Sequence, residues 1–181
     1  MILLVLGLLL WSGAHLFKRV APEARARMGE RGKGPIALAL VLSIVLMVIG
    51  YRGAEGAFFW GRHPATTGIN NLLVLFAFYL FAASGMKTGI TRRLRHPQLT
   101  AVILWSVAHL LVNGDVPSFV LFGGLLAWAV AEIVLINRQE RVWTPAHPVP
   151  VAKEIQAVVG TLIVFGVAAA IHIWLGYNPF G

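Results

Sequence analysis

Six stretches of this chain are long and almost purely apolar, at about 2–20, 35–52, 70–87, 97–113, 116–137 and 153–175. A helix needs about 17–25 apolar residues to cross a bilayer, and backbone groups in hydrocarbon must bond within their own segment. These runs therefore predict an all-α, polytopic bundle of six transmembrane helices. Charged residues make up only 12% of the 181 residues and apolar ones 58%, where a soluble domain has about 25% charged. The stretch at 97–113 is the shortest and fits either a helix of little tilt or a locally thin region of the bilayer. No repeat or second composition appears, so residues 1–181 read as one domain.

The basic residues orient the bundle. All but two of the 15 Lys and Arg fall in three segments, near 18–34, 87–96 and 138–153. The exceptions are Arg52 and Arg62. By the positive-inside rule the three segments are cytoplasmic and both termini lie on the outer, periplasmic side of a bacterial inner membrane. The net charge of +8 thus reflects topology and not a nucleic-acid partner. No Lys or Arg precedes the first apolar run, so that run reads as a span and not as a cleaved signal peptide. Phe58, Phe59 and Trp60 suit either a segment lying among the headgroups or a loop with a few buried rings. Three prolines between 145 and 150 predict an extended connector.

There is no cysteine, which excludes disulfides, thiolate metal sites and iron–sulfur clusters. Ionisable groups inside a membrane are costly and are functional candidates for that reason. His15, His109, Glu132 and His172 qualify. His109 is central in RHPQLTAVILWSVAHLLVNGD, residues 95–115, where Trp105, Ser106, His109 and Asn113 share an arc of roughly 100° on an otherwise apolar helix. That stripe either packs against neighbouring helices or lines a ligand site. His96 and His109 are thirteen residues apart and about 140° around the helix, so they cannot share a metal. Arg95, His96 and Pro97 open the helix with free N–H groups and positive charge, which suits a carboxylate or phosphate, or serves as an anchor alone. No HExxH pair, Gly-rich phosphate loop or Ser–His–Asp arrangement is present.

With these motifs the whole chain resembles the NnrU family of bacterial membrane proteins, through residues 95–115, His15 and the basic run RARMGERG. That family is related to the plant and cyanobacterial 15-cis-ζ-carotene isomerase, which has RHPQ followed at the same distance by W-x-x-A-H. The resemblance implies haem b held by two histidines, here His15 and His109. It also implies a redox-linked role, in isomerising a hydrophobic polyene or in nitrogen-oxide and denitrification metabolism. The isomerase offers a cysteine as an alternative ligand where this chain has Ser106, a poor iron ligand, which counts against ligand switching. Counted by rise along the helices, His15 and His109 differ in depth by roughly 10 Å, and His172 is the substitute ligand. Glu132 is expected either to support His15 as a hydrogen-bond acceptor, or to snorkel to the headgroups or pair with an arginine of segment 18–34. Arg95 and His96 are candidates for a haem carboxylate or a lipid headgroup.

A second likeness is to membrane methyltransferases of the isoprenylcysteine carboxyl methyltransferase type. They also open a helix with RHP and use S-adenosylmethionine, and Arg138-Gln139-Glu140 stands near where their R…E-E pair would be. Leu99 replaces their usual tyrosine and their FG-x-x-Y-x-x-Y stretch is absent. A non-enzymatic membrane factor that supports another complex is the third reading.

Overall fold

The computed structural model describes residues 1–145 and 147–181. Its helices are α1 (Ile2–Val20), α2 (Pro22–Arg27), α3 (Lys33–Arg52), α4 (Pro64–Met86), α5 (Pro97–Val112), α6 (Val116–Gln139) and α7 (Val151–Trp174). Five of them, α1, α3, α4, α6 and α7, are long and apolar enough to cross a bilayer. The sixth apolar helix, α5, has 16 residues and spans about 24 Å at 1.5 Å per residue. This is a largely helical, multi-pass membrane protein.

Local chemistry sets the helix starts. Pro64 stands at the first helical position, and the His63 ring accepts a hydrogen bond from the Ala65 N–H at 3.3 Å. Thr66 reaches back to the His63 N–H. This capping box begins α4 six residues earlier than the apolar run predicts. The Asp115 carboxylate caps α6 by accepting from the Ser118 N–H at 2.8 Å, and Pro97 opens α5. The 18–34 segment is not a plain loop. It holds α2 and a tight 3-10 turn at Gly29–Gly32.

The helices stand side by side in the order α3, α1, α6, α5, α4, α7, with α3 also touching α6. The row curls, and its two ends, α3 and α7, do not form a packed interface. The closest packing is α1 on α3. There a Cβ on Gly7 would lie 2.8 Å from the Met47 nitrogen and Ser43 oxygen, and Gly50 abuts the Leu4 backbone. Lipid is as apolar as leucine, so helices in a bilayer gain from such close backbone approach and not from hiding oily surface. Leu4, Leu8, Met47, Leu125, Trp128 and Ala129 fill the junction of α1, α3 and α6. Ala77, Leu80 and Ala101 fill that of α4 and α5.

The two ends of the bundle differ. At the basic end, Arg19 meets Gln139 and Glu140, and Arg95 reaches the Glu140 carbonyl. At the aromatic end, Phe58–Trp60 is a short strand, β1, paired antiparallel with β2, Gly114–Asp115. Phe58, Phe59 and Trp60 are exposed, Phe59 stacks on Phe119, and the Trp60 N–H donates to the Leu110 carbonyl at 3.1 Å. Around the predicted extended connector the described residues 140–145 and 147–150 carry no regular structure, and Ala146 lies outside the described residues.

Candidate functional site

A cavity of about 760 Å³ occupies the half of the bundle nearest the aromatic end. It is walled by the C-terminal halves of α3, α5 and α7 and the N-terminal halves of α4 and α6. Its deep wall is apolar, with Met47, Val74, Phe78, Leu121 and Leu125 among the lining residues. Toward the end of the bundle the lining turns polar, with Tyr51, Arg52, Arg62, Asn70, Asn71 and Asp115. An apolar chamber with a few convergent polar groups is the usual form of a small-molecule site.

Two histidines face this chamber, His109 from α5 and His172 from α7. The His109 Nδ1 sits 2.9 Å from the Trp105 carbonyl, one turn back, and the His172 Nδ1 is 2.7 Å from the Ala168 carbonyl. A carbonyl can only accept, so each Nδ1 carries a proton, which leaves Nε2 as the nitrogen that can offer a lone pair in the neutral ring. A ring nitrogen fixed in this way is the usual arrangement behind a metal-ligating histidine. The His109 ring packs on Phe122, centroids 4.6 Å apart, and the Asn113 amide donates to the His109 carbonyl at 2.9 Å.

The remaining candidates lie elsewhere. His15 does not line the cavity. Its ring is packed between Trp11 and Trp128, with centroids at 4.2 and 4.7 Å, and its Nδ1 bonds the Trp11 carbonyl. So the structure brings His109 together with His172 and not with His15. Glu132 is buried and pairs with Arg19, Nε to Oε1 at 3.5 Å, and no hydrogen bond to His15 is found among the described residues. Of the expectations for Glu132, pairing with an arginine of segment 18–34 is the one seen. Ser106 is fully buried, and its hydroxyl has no hydrogen-bond partner among the described residues. It falls on the packed side of α5, whereas Trp105, His109 and Asn113 line the cavity.

Arg95 and His96 serve the basic end. The His96 Nε2 is 2.8 Å from the Asn137 Oδ1, and Arg95 bonds the Glu140 backbone. They tie the start of α5 to the end of α6, so helix packing occupies groups expected to meet an anion. The Glu140 carboxylate pairs with Arg19 at 2.6 Å, and the hydrogen bond from this guanidinium holds its pKa below the usual carboxylate range. Among the described residues no group of three His, Asp or Glu side chains is placed to hold a metal ion. Residues such as Tyr51, Asn70, Asn71 and Asp115 were missed from sequence. Each sits within a turn or two of a helix end, and all those ends fall at one end of the bundle.

The family model described as NnrU protein matches residues 3–179. The chain belongs to the NnrU family. Neither the curated proteins nor the solved structures contain a match. The match runs through every element of this member of the family, from α1 to the segment beyond α7, so the cavity and both of its histidines lie within the family's span.

Proposed function

We propose that the chain is a haem b protein of the bacterial inner membrane with a redox-linked role, its cofactor seated in the cavity at the aromatic end. The observation that carries this reading is the facing of His109 and His172 on one apolar chamber, each with its Nδ1 proton committed to a carbonyl. Haem b is a largely apolar ring with two carboxylates, and two such histidines suffice to hold its iron. Arg52 and Arg62, both on the cavity lining, suit the carboxylates, since guanidinium groups bind them in a two-pronged fashion. Met47, Val74, Phe78, Leu121 and Leu125 would exclude water from the ring. Bound there, haem b supplies a one-electron iron centre beside an apolar chamber. That chemistry serves either role that the resemblance implies, polyene isomerisation or nitrogen-oxide metabolism.

In the same reading α5 also crosses, giving six spans, and the positive-inside rule puts the basic end in the cytoplasm and both termini outside. The cavity then opens within the outer half of the membrane. The pairing of His15 with His109 that the resemblance implies is replaced by His172 with His109, because those two share the chamber.

The test is the visible spectrum of protein made with ample haem supply. Wild type is expected to show a low-spin, bis-histidine spectrum. His109→Ala and His172→Ala should each lose it, while His15→Ala should keep it. Loss in His15→Ala with retention in His172→Ala would restore His15 as the ligand. A colourless wild type overturns the haem reading.

A further inference from the structure

The cavity has two sides from which a ligand could arrive, and they are built differently. Over the aromatic end the chain beyond α7 folds back as a strap. Arg62 bonds the Asn178 carbonyl, and the Asn71 amide donates to the Pro179 carbonyl at 3.0 Å. The Tyr177 N–H donates to the His172 carbonyl at 2.8 Å, and the Phe180 ring meets Phe165 edge-on at 6.3 Å. Tyr177 and Pro179 themselves line the cavity. The route from water therefore runs through a segment tied at three polar points and one aromatic contact.

The side facing lipid carries no such closure. α3 and α7 both contribute to the cavity wall yet do not pack on each other. Away from the aromatic end, several cavity-lining residues on those two helices are apolar and partly open. Ile44 and Val48 on α3 are 47% and 52% exposed, Ala168 and Ala169 on α7 are small, and His172 is exposed. Small side chains on α7 and aliphatic ones on α3 give the slot an apolar middle, and its polar groups, Tyr51, Arg52 and His172, fall at the ends of the two helices nearest the aromatic end.

We propose that the cavity takes its ligand sideways from the bilayer, between α3 and α7. The ligand class is a membrane-dissolved amphiphile, with an apolar body for the deep wall and an acidic head for Arg52 and Arg62. This inference rests on the reading that the cavity is the functional site, and haem b is one member of the class. An amphiphile lying in the leaflet already has its head at the interface and its body in hydrocarbon. Sliding between α3 and α7 keeps both in place, whereas passage under the strap would drag an apolar body through water.

The absence of cysteine makes the route measurable. Leu121 lines the far wall on α6, and Leu121→Cys would be the one thiol in the chain. Haem-free protein in nanodiscs, where water reaches both faces, is treated either with a long-chain alkyl maleimide dissolved in the lipid or with a charged, membrane-impermeant thiol reagent. After correction for intrinsic reactivity, the lipid-dissolved reagent should be faster by about tenfold or more, which is a barrier difference of about 1.4 kcal/mol. Adding Val48→Trp or Ala169→Trp should fill the slot and slow that reagent by a similar factor without changing the thermal midpoint. If one plug fails to fold, the other carries the test. Equal rates, or plugs that leave the lipid-dissolved reagent untouched, overturn the inference, as does a thiol that neither reagent reaches. Because the labelling uses haem-free protein, a colourless wild type would sink the haem reading without moving these rates.

Discussion

Replacing Arg19 removes the partner of a buried carboxylate, and the cost can be sized. Glu132 Oε1 lies 3.5 Å from Arg19 Nε, with side-chain exposures of 7% and 16%. At that distance and an effective dielectric of about 20, the gross attraction is about 5 kcal/mol. Desolvation of both groups cancels much of it in the intact protein, but removing one partner leaves the other buried and alone. That situation costs about 3–5 kcal/mol. Arg19→Gln should therefore destabilise by about 3 kcal/mol, the lower end because the site is open enough for Arg19 to reach Glu140 as well. Adding Glu132→Gln removes the stranded charge, and the double variant should recover at least half of the loss. Unfolding in mixed micelles, scored by circular dichroism, gives the cycle, with Glu140→Gln as the control for the outer partner. The reasoning fails if the two changes simply add, since additive costs mean that the groups do not interact.

Other outcomes follow from the same geometry. Glu140 is held below the ordinary carboxylate range by Arg19, so its contribution is present above that range and is lost as pH falls through its folded value; the stability difference between wild type and Glu140→Gln should vanish in that acidic window. Gly50→Ala would set a methyl against the Leu4 backbone and should cost about 1–3 kcal/mol by overpacking, read as a lower thermal midpoint. Ser106→Ala deletes a buried hydroxyl that has no partner among the described residues; it should be neutral or stabilising by up to about 1 kcal/mol, and a large loss would show a hidden partner. Gly114→Val would collide with the Trp60 indole and should release the β1–β2 cover, seen as a red shift of tryptophan fluorescence.

The sequence by itself determined the solvent and, from it, the class of fold. Apolar runs of span length leave helices as the one economical choice, because hydrocarbon cannot satisfy a bare backbone, and the helix limits came out close wherever a proline or an asparagine marked them. It missed the start of α4, since the His63 capping box lies outside the apolar run. It also singled out His109, because a polar stripe on a greasy helix is visible in periodicity alone. What periodicity cannot show is which helix stands across from that stripe. Counting depth along single helices made His172 a candidate, but the tertiary row, with α6 between α1 and α5 and α7 at the far end, decided that His172 shares the chamber and that His15 belongs to a tryptophan-lined niche beside Arg19 and Glu132. Lateral order in a membrane bundle is set by close fits such as Gly7 on Ser43 and Met47. Those contacts join residues far apart in the chain and leave no period in either segment to betray them.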